Sequence, residues 1–242
     1  MIQTEGRLIS LEGIECSGKS TQSRLITEYL TAHDIKALPM HEPGGTVYGE
    51  ALRAVLKHPG IALPAVYRAV EGNEDFAGLD FKAELNLKRT AITELFLFEA
   101  VRAEYANALI EILSQGISVI SDRLMDSTTA YQGGGRKLNQ SLGKDLIERM
   151  HRIAMQDLWP DKTFFLHIGV EEMQKRMATQ SDDKNSFFEK ECGPDFYQRA
   201  EKVYFEISHQ EPERFIVIDG KLPPLEVFEQ IRPYLDSLFG IV

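Results

Sequence analysis

The sequence predicts an α/β fold in which a parallel sheet is covered by helices on both faces. Short aliphatic segments alternate along the 242 residues with longer segments whose apolar residues recur at helical spacing. A glycine-rich turn directly follows the first of the short segments. Since parallel strands need crossover connections, which are usually helices, this alternation is typical of a doubly covered parallel sheet. Neither a repeat nor a linker divides the sequence, so we expect one domain over residues 1–242.

In the first half of the chain we predict two strands and three helices. The strands cover 7–12 and 35–41, which are rich in aliphatic residues. The helices cover 20–32, 46–57 and 91–115, the last of which is followed at once by a glycine that favours a helix stop.

In the second half the same alternation continues. The predicted strands are 117–121, 162–168 and 214–218. The predicted helices are 142–156, 170–177, 195–209 and 225–239.

Two segments show no steady period of apolar residues. Residues 58–89 are punctuated by proline and glycine and are long for a connection in one domain, so we expect an insertion or flap. Residues 178–194 are polar and loop-like.

The composition narrows the function classes. The chain carries 27 basic and 37 acidic residues, a formal charge of −10, which argues against a surface that coats nucleic acid. No apolar run approaches the ~18 residues of a membrane span, and residues 1–7 lack the apolar core of a signal peptide. Two cysteines are too few for a disulfide framework. We therefore expect a cytoplasmic protein that binds neither nucleic acid nor membrane.

Residues 13–20, GIECSGKS, match the phosphate-binding pattern G-x-x-x-x-G-K-[ST] between a predicted strand and a predicted helix. Glycines let backbone N–H groups turn toward one phosphate, and the helix start adds the positive end of its dipole. Lys19 brings a positive charge to the β and γ phosphates, and Ser20 is a candidate Mg²⁺ ligand. The sequence therefore predicts an ATP site. The residues expected to contact ATP are Gly13, Ile14, Glu15, Cys16, Ser17, Gly18, Lys19, Ser20 and Thr21.

Asp122 and Arg123 follow a predicted strand, at the edge where parallel sheets present ligand sites. The aspartate suits Mg²⁺ held through water, and the planar guanidinium suits an acceptor phosphate. The alternative, an ion pair that only ends a strand, is less favoured beside a phosphate loop. Arg53 is a second basic candidate for the acceptor phosphate, although a lone arginine is more often a solvated surface group.

Two further clusters suit a planar base. Phe98 and Arg102 are four residues apart on a predicted helix and so share a face, where the ring can stack on a base and the guanidinium can bind its edge. The alternative is a core phenylalanine beside a surface arginine. Residues 130–136, AYQGGGR, combine an aromatic ring, the amide of Gln132 and three glycines. The glycines fit either a plain loop or the hinge of a closing site.

Taken in order, these motifs resemble the thymidylate kinase family. The resemblance covers the chain from residue 7 to about 240 and is carried by LEG at 11–13 with the phosphate loop, EPGGT at 42–46, LF at 97–98 with Arg102, DR at 122–123 and AYQGG at 130–134. It implies the P-loop nucleoside-monophosphate kinase fold, with a five-stranded parallel sheet and a mobile lid over 178–194. It also implies ATP, Mg²⁺, dTMP as acceptor, and a homodimer.

The resemblance assigns roles by position. Phe98 is expected to stack on the base, Arg102 to bind its edge and Gln132 to line its pocket. Arg53 and Arg123 are expected to hold the acceptor phosphate. The other residues expected at the ATP, metal or acceptor sites are Glu15, near the 3′-hydroxyl and the metal, Asp122 as a metal ligand, and Glu42, Pro43, Ser127 and Tyr131 at the substrate.

The sequence departs from the family at the catalytic arginine. Members place this arginine in the phosphate loop or in the lid, and position 16 is cysteine here, so the bacterial lid type is implied. Ala178 and Gln180 stand where lid-type members carry arginines. A cation matters because charge stabilisation dominates phosphoryl transfer. The remaining candidates are Arg136, Arg176 and Lys184, and Leu124 replaces the family's usual aromatic residue.

Our leading hypothesis is in-line transfer of the ATP γ-phosphoryl group to dTMP, which needs no general base because the acceptor oxygen is already anionic. Two alternatives stay open. The unusual segment 58–89 and the altered lid fit a kinase for another deoxypyrimidine monophosphate. The depleted lid also fits a nucleotide-binding protein with weakened catalysis.

Overall fold

The computed structural model describes residues 5–58, 89–179 and 192–241, together with 62, 65, 66, 68 and 69. Most of the expected flap over 58–89 and most of the expected lid over 178–194, including Lys184, therefore lie outside the described residues.

The sheet contains five parallel strands in the order β2-β3-β1-β4-β5, which confirms the predicted fold class. Leu11 of β1 lies opposite Asp122 of β3. The carboxyl ends of β1 and β3 are therefore neighbours, and this adjacency brings the phosphate loop beside the Asp122–Arg123 turn. The strands are β1 Leu8–Glu12, β2 Ala37–His41, β3 Ser118–Asp122, β4 Lys162–His167 and β5 Phe215–Asp219.

Helices connect these strands and cover the sheet. Threonine side chains cap two of them, where Thr46 accepts from Gly49 N and Thr90 accepts from Thr93 N. The helices are α1 Lys19–Ala32, α2 Val47–Lys57, α3 Ala91–Ser114, α4 Met125–Thr128, α5 Leu138–Ser141, α6 Lys144–Met155, α7 Val170–Ala178, α8 Pro194–Gln210 and α9 Pro224–Phe239. In the described part of the chain, every helix is too short or too polar to span a membrane.

The core consists of apolar layers on the two faces of the sheet. Two neighbouring residues of β4 point to opposite faces of the sheet. Phe164 packs with α1 and α9, whereas Phe165 packs with Tyr204 of α8. Tyr105 and Leu109 of α3 fill the region beside β3. This alternation follows from the period of two in a strand, and it confirms that helices cover both faces.

The segment Thr129–Gly135 forms a π-helical turn that packs against α8. A Cβ added to Gly134 would lie 2.6 Å from Val203 Cγ2, and one added to Gly135 would lie 2.4 Å from the ring of Phe196. Both distances are shorter than van der Waals contact, so the glycines allow α8 to approach closely. The expectation of a plain loop here is wrong, because the segment is helical and its close packing requires the glycines, whereas the hinge stays a prediction.

The helix predicted over 142–156 is shorter in the structure, where it covers Lys144–Met155. It begins at Lys144, directly after Gly143, whose φ of 83° lies in the left-handed region. A short helix, α5, precedes this break, since glycine permits the chain to change direction there.

Candidate active site

The phosphate loop leaves β1 at Gly13 and enters α1 at Lys19. Gly13 has a φ of 146°, and a Cβ there would lie 2.6 Å from Ser17 Oγ and 2.8 Å from Leu166 O, so a larger residue has no space. Gly18 precedes the helix with a φ of 96°, a conformation that glycine adopts readily. The two glycines therefore shape a tight turn whose backbone amides and helix start can surround a phosphate.

Lys19 is buried and reaches back into this turn. Its Nζ donates to Gly13 O at 3.1 Å, Ile14 O at 3.0 Å and Ser17 Oγ at 3.2 Å. Burial lowers the pKa of the ammonium group to about 8, and repulsion from Arg123 acts in the same direction. The loop thus keeps a cation at its centre, where a phosphate chain would bind.

Ser20 and Asp122 bring a hydroxyl and a carboxylate oxygen together at the edge of the loop. Ser20 Oγ donates to Asp122 Oδ2 at 2.8 Å, although their positions are 102 residues apart in sequence. Mg²⁺ prefers oxygen ligands and usually keeps several waters, so one hydroxyl and one carboxylate beside bound phosphates fit its chemistry. The two metal ligands predicted from sequence therefore lie together.

Arg123 joins the phosphate loop to a neighbouring cleft. Its Nη1 donates to Gly13 O at 3.0 Å and to Ser127 Oγ at 3.1 Å, and its Nη2 donates to Glu15 Oε1 at 3.0 Å and to Tyr131 Oη at 3.1 Å. Tyr131 in turn donates to Glu15 Oε2 at 2.8 Å. A single guanidinium group is therefore held in place between the loop and the cleft.

The cleft has an empty volume of about 560 Å³ and contains eight of the nine residues predicted to bind the acceptor. The exception is Arg53, which donates to the carbonyl of Pro43 and lines an adjoining cleft with Ser20, His41 and Asp122. The predicted residues that line the cleft are Glu42, Pro43, Phe98, Arg102, Arg123, Ser127, Tyr131 and Gln132. The others are Glu15, Leu56, Lys57, Leu124 and Thr128.

Arg102 lies at the wall of this cleft and is almost completely buried. Its Nη1 donates to Glu99 Oε1 at 2.5 Å, and its Nη2 lies 2.8 Å from Thr128 Oγ1 and 2.9 Å from Glu42 Oε1. Burial raises the pKa of Glu42 to about 7, although Arg102 acts in the opposite direction. Its partners hold the Arg102 guanidinium in one orientation.

The comparisons with known proteins agree with this architecture. Residues 11–65 and 76–231 match the family model described as thymidylate kinase. The chain belongs to the thymidylate kinase family. It is 34% identical to a thymidylate kinase of Thermosipho melanesiensis over 231 residues, covering 95% of this chain and 98% of that protein. It is 35% identical to that of Chlorobaculum parvum over 238 residues, with 96% of each chain covered.

A solved structure gives the same result for the fold. The crystal structure of thymidylate kinase from Ehrlichia chaffeensis is 27% identical and has a TM-score of 0.62. The match covers 96% of this chain and 98% of that one. The resemblance to thymidylate kinases predicted from the motifs is confirmed.

The two candidate catalytic cations in the described part of the chain, Arg136 and Arg176, have different surroundings. Arg136 pairs with the buried carboxylate of Glu94 at 3.0 Å. Arg176 donates to Cys16 O of the phosphate loop at 3.2 Å and to Gly220 O at 3.1 Å. Lys184 lies outside the described residues. Of the two described candidates, Arg176 is the one that contacts the phosphate loop directly.

Several polar residues at this site were not predicted from the sequence. Glu12, at the end of β1, is fully buried and accepts from Leu124 N at 2.8 Å. Glu94 lies four residues before Phe98, and Glu99 lies three before Arg102, so helical spacing could have identified both. His151 of α6, 3.0 Å from Glu99 Oε1, had no local signal because its contact depends on packing between helices.

Leu124 follows Arg123 where the family's usual aromatic residue is missing. Its side chain is fully buried in the core beside α3, and it also lines the cleft. Leu124 thus forms part of the cleft wall while its side chain packs in the core.

Proposed function

We propose that this protein transfers the γ-phosphoryl group of ATP to the 5′-phosphate of dTMP, giving ADP and dTDP. Family membership supports the reaction, and the position of Arg123 is the observation that carries it. Arg123 Nη1 donates to Gly13 O of the phosphate loop, and the same side chain lines the cleft that holds the predicted acceptor residues. Donor and acceptor phosphates bound at these places would meet at one cation.

The reaction needs positioning and charge neutralisation more than covalent help from the protein. An anionic oxygen of dTMP forms a bond to the γ-phosphorus while the bond to the β–γ bridging oxygen breaks, and no proton has to move. Lys19 holds the donor phosphates, and Arg123 opposes the repulsion between the two phosphates. Two candidates remain for the further cation: Lys184, because of its position in the sequence, and Arg176, because it donates to Cys16 O of the phosphate loop.

We propose Ser20 and Asp122 as the residues that hold Mg²⁺. The 2.8 Å contact between their side-chain oxygens supports this assignment. When bound, the ion neutralises charge on the phosphate oxygens. Thr21, next along α1, completes the residues proposed to contact ATP.

For the acceptor, we propose that Phe98 stacks on the thymine ring and that Arg102 and Gln132 bind its polar edge. Their common position in the cleft supports these roles. Glu15 is proposed to lie near the deoxyribose, where Arg123 and Tyr131 orient its carboxylate.

The residues between base and phosphate complete the proposed acceptor site. Glu42 and Pro43 form one wall, and Ser127 is held beside Arg123. Arg53 is proposed to reach the acceptor phosphate from the adjoining cleft, and its contact with the Pro43 carbonyl supports a position at the border.

A panel of nucleoside monophosphates assayed by ADP release tests the proposal. We expect dTMP to give the highest kcat/KM, and Lys19→Ala to abolish dTMP-dependent release because the donor loses its central cation. Another acceptor ranking first, or a fully active Lys19→Ala variant, would overturn the assignment.

We also propose that the protein is a homodimer. Large apolar side chains on α2 and at the start of α3 support this, since Tyr48 is 72% and Phe96 is 61% exposed. Light scattering should give twice the mass of the chain, and Phe96→Glu should shift it toward the monomer. A monomeric parent protein would contradict this proposal.

A further inference from the structure

Glu94, Gln132 and Arg136 form a buried polar cluster behind the cleft. Glu94 lies in the first turns of α3 and is 2% exposed, and Gln132 lies in the π-helical turn and is 1% exposed. Gln132 Nε2 donates to Glu94 Oε1 at 2.8 Å. Arg136 donates to both carboxylate oxygens, from Nε at 3.2 Å and from Nη2 at 3.0 Å.

The chemistry of this cluster determines which way the Gln132 amide faces. The nitrogen and oxygen of an amide are similar in shape, so their assignment normally depends on the partners. A carboxylate can only accept hydrogen bonds, and Arg136 donates to both Glu94 oxygens, so both oxygens act as acceptors. The NH₂ group of Gln132 must therefore face Glu94, and the amide oxygen must face away from it.

The amide oxygen is thereby left for the cleft, which Gln132 lines. Within the described part of the chain, no donor bonds to this oxygen. Arg102, on the wall of the same cleft, can only donate. The cleft thus offers both a donor and an acceptor to a bound base.

This pattern distinguishes between pyrimidines. Thymine and uracil present a carbonyl at C4 next to an N3–H. The carbonyl can accept from a guanidinium, and the N3–H can donate to an amide oxygen. Cytosine presents an amino group and an unprotonated N3 at the same places, which is the reverse pattern. Because unmatched polar groups in a buried site cost binding free energy, such a site discriminates strongly against cytosine.

We propose that Glu94 sets the base specificity of the enzyme by fixing the orientation of Gln132, with Arg136 anchoring Glu94. Glu94 is a positioning residue, because it acts on the base through the amide. The inference rests on the proposed function and assigns Arg136 a place in base selection.

Glu94→Gln tests the proposal, because glutamine has the same shape but can donate as well as accept, which frees the Gln132 amide to turn over. The measurement is kcat/KM for dTMP and for dCMP. We expect the ratio of dTMP to dCMP to fall by about tenfold or more, mainly through KM for dTMP. Glu104→Gln, at an exposed glutamate on the same helix, is the matched control and should keep the parental ratio.

A double variant separates orientation from general damage. In Glu94→Gln/Gln132→Glu, the side chain at position 132 presents only acceptor oxygens to the cleft, as the oriented amide of the parent protein does there, and the net charge of the cluster is unchanged. The amide introduced at position 94 can donate to the carboxylate introduced at position 132. This variant should recover the preference for dTMP, and it tests the proposal even where Glu94→Gln does not fold.

Thermal unfolding of each variant reports folding separately from specificity. A parental ratio in folded Glu94→Gln, or a double variant that does not prefer dTMP, would refute the role of Glu94. A parent protein that does not phosphorylate dTMP would instead refute the proposed function.

Discussion

Replacing Glu12 by glutamine isolates the energetic effect of one buried carboxylate beside the phosphate loop. Glu12 accepts from Leu124 N at 2.8 Å, Ser127 Oγ at 2.5 Å and Tyr204 Oη at 2.8 Å. Burial, and secondly repulsion from Asp126, raises the pKa of the Glu12 carboxyl from 4.5 to about 7. The hydrogen bonds therefore do not fully compensate for the loss of water around the charge.

The pKa gives the magnitude and the sign of the expected effect. Because the folded pKa of Glu12 is the higher one, the folded state binds more protons than the unfolded state between pH 4.5 and about 7. As the pH rises from 4.5 to above about 7, the free energy of unfolding of the parent protein therefore falls by about 3 kcal/mol relative to a variant that has no titrating group at this position. In a chain of this size that corresponds to roughly 6–12 °C in Tm.

The assay is thermal unfolding of the parent protein and Glu12→Gln at pH 4.5 and pH 8. We expect the variant to gain stability relative to the parent as the pH rises, whatever the difference at the lower pH. Glu104→Gln, which removes an exposed glutamate from α3, controls for the general loss of a negative charge. A difference between parent and Glu12→Gln that is the same at both pH values would refute the reasoning.

The same substitution should reduce activity even where it increases stability. Glutamine offers one acceptor atom in place of two, so the turn that carries Arg123 and Ser127 loses part of its support. We expect kcat/KM for dTMP to fall about tenfold at pH 8, measured by ADP release. An unchanged kcat/KM would show that Glu12 does not position this turn.

Three other predictions follow from single contacts. Gly134→Ala should lower the free energy of unfolding in urea by about 1–3 kcal/mol, because its methyl group would meet Val203; no change would contradict the packing. The kcat/KM for ATP should decline above about pH 8 as Lys19 loses its proton, and a flat profile to about pH 9.5 would count against this. Glu99→Gln should raise the KM for dTMP about threefold to tenfold with little effect on kcat, because Arg102 loses a carboxylate partner; an unchanged KM would exclude that role.

The fold was largely predictable because its signals are local. The phosphate loop between a strand and a helix, and the regular alternation of the two elements, predicted the parallel sheet without knowledge of any contact. The exceptions have physical reasons. The π-helical turn at 129–135 depends on the close approach of α8, and nothing in the glycine run itself distinguishes that from a flexible loop.

The candidate site was predictable in part. Most residues predicted to bind the acceptor line one cleft, but their partners were not predicted. Arg136 was a candidate catalytic cation because the lid arginines of the family are missing here, whereas the structure pairs it with Glu94, 42 residues away. Such pairs depend on which elements pack against each other in the fold. A charged residue in a sequence does not indicate which distant residue will be its partner.

The sequence by itself determined the α/β class, the phosphate loop from Gly13 to Ser20 and the family to which the chain belongs, because these depend on local spacing and on the order of motifs. Only the tertiary structure decided how the functional groups are oriented: Arg123 between loop and cleft, and Gln132 held by Glu94. Orientation depends on buried hydrogen bonds between distant segments, and these form only when the sheet and its helices bring the segments together.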